Sequence, residues 1–541
     1  MHVDVNMLEW ARAQFAMTAL FHFFFVPFTL GMSFIVAFYE TIYVKTGKKE
    51  WKNITQFWQL LFAINFALGL STGIIHEFEF GTNWSTYSWV VGDLFGAPLA
   101  IEGIVAFFME ATFAAISFFG WKRVSKGVHL ASTWLLAIGS NLSALWILIA
   151  NGFMQHPSNE FGNFNIATSR LEMVNFWKLI MQPVSQVKFL HVVSASYTLA
   201  SVFVLGISAF YLLRKKHVEF AKKSAAVAAA FGLIASIFVA IIGDDHAYEV
   251  TNTQPTKIAA MEGLYIGEKG APIVAIGIPK DVPALSVNSN DQTWAFKIEI
   301  PHMLSILGKH SFNAYVPGLK DLIQGNPKYG IWSLKKLAKI GAEAKADLLA
   351  YHAAKEKGDI AAMQKAKNDF YTVVWPANLK GKVLENAANS KELVIRKADL
   401  IGYGYFKNVS NPDLIHPPVA PVFYAFHIMV ALGFWFIILF IWAWFSIVKG
   451  AFANSSLLQK LAVLSVPLPW IATSFGWMSA EIGRQPWTVF GVLPTAESVT
   501  PIALANVQAT FFLFLVAFVI LGIAELKILF TVVKHGPKGA Q

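Results

Sequence analysis

The chain contains no cysteine, which excludes disulfides, thiolate-held iron–sulfur clusters, zinc knuckles and the Cys-x-x-Cys-His attachment of c-type haem. Any metal must therefore be bound through His, Met, Glu, Asp or Tyr. Charge is scarce too: 14% of the 541 residues are charged, whereas 55% are hydrophobic and 15% aromatic; soluble domains carry about 25% charge. This balance defines a polytopic membrane protein. No nucleic-acid motif accompanies the net charge of +10, so that excess is read as membrane topology. No internal repeat is visible, against a transporter built from duplicated halves. Ahead of the first apolar run stands a single basic side chain, Arg12, with no small-residue cleavage site, so this run is expected to be a retained helix.

Runs of about 20 apolar residues, enough to span roughly 30 Å of hydrocarbon, fall near 15–39, 55–75, 96–120, 129–152, 187–213, 221–243, 418–448, 461–480 and 504–530. Lys45, Lys48, Lys49 and Lys52 follow the first run, Lys122, Arg123 and Lys126 the third, and Arg214, Lys215, Lys216, Lys222 and Lys223 the fifth. Lys449, Lys460, Lys534 and Lys538 continue that side, whereas loop 76–95 has no Lys or Arg and carries Glu77, Glu79 and Asp93. The basic side is expected to be cytoplasmic, with the N-terminus outside and the C-terminus inside. Residues 244–416 hold no spanning run and include a helical charged stretch near 333–368, which makes them an extramembrane insertion on the outer side. The expected architecture is all-α: membrane helices one to six over 1–243, the extracytoplasmic loop over 244–416, and helices seven to nine over 417–541.

Ionisable groups inside a membrane cost free energy unless paired, protonated or bound to metal, so each is a functional candidate. His22 stands among Phe21, Phe23, Phe24 and Phe25, and a neutral imidazole is a usual axial ligand of haem iron. Glu102 and Glu110 lie eight residues apart, on nearly one face of a helix and about 12 Å apart in depth. Each costs roughly 2.5–3.5 kcal/mol at the bilayer centre, so two on one face imply a proton relay or a metal edge. Glu481 and Arg484 close the eighth run three residues apart. With the topology fixed, His22, Glu102, His191, Met429 and Glu481 come from five spans yet all fall in the outer half of the bilayer. Ligands at one depth suggest a cofactor layer.

Five stretches occur in order: Gln14-Phe-Ala-Met-Thr-Ala-Leu-Phe-His22, Gly81-Thr-Asn-Trp-Ser85, Gly96-Ala-Pro-Leu-Ala-Ile-Glu-Gly103, Gly139-Ser-Asn-Leu-Ser-Ala-Leu-Trp146, and Gly483-Arg-Gln-Pro-Trp487 with Val492-Leu-Pro-Thr495. Together they resemble subunit I of the cytochrome bd quinol oxidases over most of the membrane part, and match less well in the later half of the insertion.

The resemblance implies a respiratory terminal oxidase of the bacterial cytoplasmic membrane. Quinol is oxidised at the outer face, and electrons pass through a low-spin haem b, a high-spin haem b and a third haem, d or b, to reduce O2 to water. It makes His191 and Met429 the axial pair of the low-spin haem and sets His22, Glu102 and Glu481 around the other two. Trp477 becomes an aromatic between haems, with Arg484 beside it in the signature stretch. Glu110 joins Glu102 on a proton path, and Lys257 and Glu262 bind quinol. Relatives often carry Arg two residues before the ligating Met, where this chain has His427. That residue lies about 200° round the helix from Met429, as a partner for a haem propionate or, in a second reading, as a bis-histidine ligand. The implied partners are a second large membrane subunit, optionally a small single-span subunit, quinol, O2 and the lipid bilayer. The rivals are a haem-bearing quinol dehydrogenase subunit without oxygen reduction and a proton-coupled transporter.

Overall fold

The computed structural model describes residues 5–280, 282–287, 293–375, 395–406 and 415–537, and among them nine helical spans are long and apolar enough to cross a membrane. These are α1 (Val5–Thr46), α2 (Lys49–Thr82), the third span formed by α3 (Ser85–Ile101) with α4 (Phe108–Phe119), and α5 (Lys126–Gln155). Next come α6 (Pro183–Leu213) and α7 (Val218–Thr253), then the short α8 (Pro255–Met261) and the insertion helices α9 (Leu334–Glu356) and α10 (Ile360–Phe370). The last spans are α11 (Val419–Val448), a broken eighth span of α12 (Ser456–Leu464) with α13 (Leu468–Ile482), and α14 (Leu504–His535). Lys538, one of the charges used for topology, lies outside the described residues.

Each of the nine apolar runs is a helix because lipid leaves backbone N–H and C=O groups no partner but one another. Two interruptions depart from that regularity. Glu102–Phe107 is π-helical, so α3 and α4 are not one continuous α-helix as the eight-residue spacing of Glu102 and Glu110 assumes. The eighth span breaks at Ser465–Pro467, where Pro467 precedes the first turn of α13. Pro27 sits inside α1. The carbonyls of Phe24 and Phe25, in the turn before it, receive Trp470 Nε1 at 2.8 Å and Asn65 Nδ2 at 2.9 Å, so neighbouring helices supply the polar contacts a kinked segment needs.

Helix α1 is central, packed on α2, α5, α6 and α14. Close approach depends on small residues: a Cβ at Gly31 would stand 2.3 Å from the Ser196 carbonyl oxygen on α6. The insertion folds back over one end of the bundle, hereafter the loop side. Tyr403 and Phe406 pack edge-on against Trp487 at 4.9 and 5.0 Å, and a Cβ at Gly402 would meet the Gly491 carbonyl at 2.4 Å. The signature stretch is thus covered by the far end of the loop. The longest strand pair is an antiparallel hairpin, β1 (Ile273–Pro279) with β2 (Trp294–Ile300).

Gly31→Leu is expected to force α1 away from α6 and destabilise the bundle by about 1–3 kcal/mol, the usual cost of overpacking. The thermal unfolding midpoint of the purified protein should fall by several degrees; an unchanged midpoint would contradict the packing described.

Candidate functional site

Glu481, at the end of α13, is the hub. Arg484 Nη2 lies 2.5 Å from its Oε2, Asn151 Nδ2 and Gln155 Nε2 each donate to Oε1 at 3.1 Å, and Lys188 Nζ stands 3.8 Å away. Lys188 also donates to Asn151 Oδ1 and lies 5.8 Å over the Trp477 ring. The cluster joins α5, α6 and α13 with largely buried charges of both signs, which gives both carboxylate oxygens a partner and offsets the cost of burial. Through Gln155 it reaches the insertion: Lys257 Nζ on α8 donates to Gln155 Oε1. One glutamine therefore touches both the loop lysine and the hub carboxylate.

Lys257 and Glu262 are both buried, at 4% and 3% exposure. Burial, then the charge of Lys188, hold Lys257 well below the ordinary lysine value, Glu481 pulling it up and Arg484 down. Burial pushes the Glu262 carboxyl up to about 8, and its Oε2 has no hydrogen-bond partner.

Trp477 stacks on Phe23 at 5.7 Å and 25°, which connects the hub to α1 next to His22. The Thr72 hydroxyl, 3.0 Å from the carbonyls of Leu68 and Gly69, also stands 3.0 Å from His22 Nδ1, and in the tautomer with the proton on Nδ1 it accepts from the ring. The lone pair is left on Nε2, the arrangement in which a second hydrogen bond orients an iron-binding imidazole. His191 Nδ1 is buried without a partner. Three of the candidate ligands, His22, His191 and Met429, face a glycine on a neighbouring helix. A Cβ at Gly73 would lie 3.0 Å from His22 Cε1, one at Gly243 3.5 Å from His191 Cε1, and one at Gly476 2.8 Å from Met429 Sδ. Among the described residues no three His, Cys, Asp or Glu side chains converge as a metal cage. A porphyrin brings four nitrogens of its own and asks the protein for one or two axial donors, which these isolated, oriented side chains match.

Glu102 and Glu110 both turn to α5. Ser143 Oγ donates to Glu102 Oε1 at 2.5 Å, and the Glu110 Cγ lies 3.3 Å from the place of a Cβ on Gly139. His427 faces elsewhere: Nδ1 is 2.9 Å from the Phe423 carbonyl and Nε2 2.7 Å from the Val274 carbonyl of β1. In this arrangement neither nitrogen is left for iron, and the side chain fastens the hairpin to α11. Sequence reasoning missed Asn151, Gln155 and the role of Lys188, although a lysine three residues before His191 inside an apolar run was a signal. It also missed His246, whose ring lies 5.6 Å from that of His191, and a buried cluster on the lysine-rich side. There Glu40 takes His129 Nδ1 at 2.6 Å and Thr133 Oγ1 at 2.7 Å.

These features define a membrane helix bundle that carries isolated His and Met side chains on separate helices and an ionic hub under one end. The profile of the cytochrome bd terminal oxidase subunit I family matches residues 10–537, and the chain belongs to that family. It is 39% identical to cytochrome bd-II ubiquinol oxidase subunit 1 of Escherichia coli (strain K12), over 99% of this chain and 98% of the relative. It is 34% identical to cytochrome bd ubiquinol oxidase subunit 1 of Bacillus subtilis (strain 168), over 99% and 95%. The bd oxidase structure from Geobacillus thermodenitrificans has the same fold, with a TM-score of 0.75 at 22% identity over 99% of this chain and 100% of that one. Membership makes the chain part of a respiratory quinol:oxygen oxidoreductase, a haem enzyme, and leaves the dehydrogenase and transporter readings without support.

Gly73→Val is expected to displace the His22 ring and lower haem per mole of purified protein. Gly81→Val, on the same helix with nothing within 4 Å of its Cβ position, should not. Equal haem content in the two variants, measured as the pyridine haemochrome, would contradict the role given to His22.

Proposed function

We propose that the loop side faces the outside of the bacterial cytoplasmic membrane, with the N-terminus outside and the C-terminus in the cytoplasm, and that quinol is oxidised there between Lys257 and Glu262. The contact that carries this reading is the Lys257–Gln155–Glu481 chain, which links the loop to the hub. Haem, when bound, supplies the one-electron carriers and the oxygen-binding iron. His191 and Met429 would hold a low-spin haem b. His22, Glu102 and Glu481 would serve a high-spin haem b and a third haem, d or b, with Trp477 and Arg484 as their neighbours in the hub.

Quinol sheds two protons as it is oxidised, and a buried carboxyl near neutrality is a fit acceptor for one. Glu262 has that character, and Lys257, its pKa lowered by burial, can hydrogen-bond a quinol oxygen. Protons for water formation come from the cytoplasm by way of Glu110 and Glu102, both turned to α5. Release outside and uptake inside separate charge, worth about 2.3 kcal/mol per charge per 100 mV. The protein works with a second large membrane subunit and, optionally, a small single-span one.

Sealed proteoliposomes of the complex are expected to build a membrane potential while consuming oxygen with quinol. Glu262 accepts a proton only as carboxylate, so kcat/KM for quinol should rise as pH climbs through about 8. Glu262→Gln should flatten that limb and lower the high-pH plateau by about 10²-fold or more. Respiration without a potential, or a pH profile unchanged by the substitution, would contradict the reading.

A further inference from the structure

The β1–β2 hairpin has a face that is wrong for water. Ile276 pairs with Ile298 and Ile278 with Phe296 across the two strands, and Ile300 continues the same side of β2. These five side chains are 62%, 50%, 53%, 51% and 48% exposed in the order named, with no polar side chain among them. The other side of β2 carries the Lys297–Glu299 ion pair at 2.9 Å. A two-stranded ribbon with one wholly apolar exposed face is unstable and sticky in water.

Its depth identifies what covers it. Helix α11 ends at Val448, directly before Lys449, and the cytoplasmic hydrocarbon boundary is set there. Counting back roughly 30 Å at 1.5 Å per residue, about 20 residues, sets the hydrocarbon boundary on the loop side near Ile428. His427 Nε2, bonded to the Val274 carbonyl at 2.7 Å, therefore fastens β1 to α11 at the level of that boundary, not above it. Tyr424 and Ile428, both exposed on α11, continue the apolar surface from the hairpin into the lipid-facing side of the helix. Tyr at this depth is the usual interfacial residue.

We propose that the apolar face of the β1–β2 hairpin is immersed in the lipid leaflet on the loop side, lying against the upper acyl chains and the glycerol region. At the start of β2, Trp294 packs edge-on against Phe423 at 5.1 Å, and its Cζ2 lies 2.4 Å from the place of a Cβ on Gly263, the residue after Glu262. The hairpin is then also a lipid-facing wall of the quinol site. That second statement rests on the reading of Lys257 and Glu262 above; the immersion itself does not.

The absence of cysteine from the chain makes the test direct. Ile278→Cys, Phe296→Cys and Ile298→Cys are each labelled with bimane in the assembled oxidase, reconstituted into phosphatidylcholine vesicles. Ile438→Cys serves as the lipid-facing control, Lys280→Cys as the aqueous control, and the unsubstituted oxidase as the labelling background. Quenching by lipid carrying a nitroxide high on the acyl chain is expected to reach at least half that of the Ile438 label, with iodide quenching several-fold below that of the Lys280 label. Iodide quenching equal to the Lys280 label would put the face in water, and protection from both quenchers would put a protein partner on it; either result overturns the proposal. On the unsubstituted oxidase, a photoactivatable acyl-chain lipid should leave adducts on 273–300 as well as on 434–445. Adducts on the second segment alone would equally overturn it.

Discussion

A carboxylate buried at a membrane helix end has to be compensated, and the compensation of Glu481 organises the loop side of this protein. Arg484, Asn151, Gln155 and Lys188 converge on it from α5, α6 and the turn after α13. Leaving such a charge without its partner costs about 3–5 kcal/mol, so the helices that supply the partners are held in one arrangement. That arrangement fixes Trp477 against Phe23 and brings Lys257 of the insertion to Gln155. The geometry of the hub, not an isolated side chain, decides how α1, α5, α6, α13 and the insertion stand relative to one another on the loop side.

Around the hub, His22, His191 and Met429, proposed above as haem ligands, stand on different helices, each with the backbone of a neighbouring helix close by. Gly73, Gly243 and Gly476 are consequences of that closeness. The π-helical turn at Glu102–Phe107 serves a related end: it adjusts the rotation of the third span so that Glu102 meets Ser143 and Glu110 meets Gly139, both on α5. Over this assembly the insertion is a lid at two points, Tyr403 and Phe406 on Trp487 and the hairpin on α11.

Much of this was legible in the sequence, because hydrocarbon length and the backbone's need for internal hydrogen bonds are local properties. The nine spans and the helical stretch that became α9 and α10 follow from them, and intramembrane His22, Glu102 and Glu481 stand out by cost alone. What could not be read was partnership across hundreds of residues. Asn151 and Gln155 look like ordinary polar residues near a helix end until α13 and α8 are brought against them. The π-helical turn leaves no mark in periodicity over six residues. His427 drew attention as a substitute for arginine beside Met429, yet its bond to Val274 depends on a hairpin more than 150 residues earlier. The strand pair itself was hidden in a segment that composition marks only as extramembrane.

Gln155→Leu tests the hub most directly, since it cuts the Lys257–Glu481 connection without removing a charge or a candidate ligand. Each hydrogen bond to a charged group contributes about 1.5–3 kcal/mol, and 1.4 kcal/mol is about tenfold in rate. Stopped-flow reduction of the haem by quinol under anaerobic conditions should therefore slow by about tenfold or more at full haem content. A rate equal to that of the unsubstituted oxidase would contradict the coupling of the loop to the buried carboxylate.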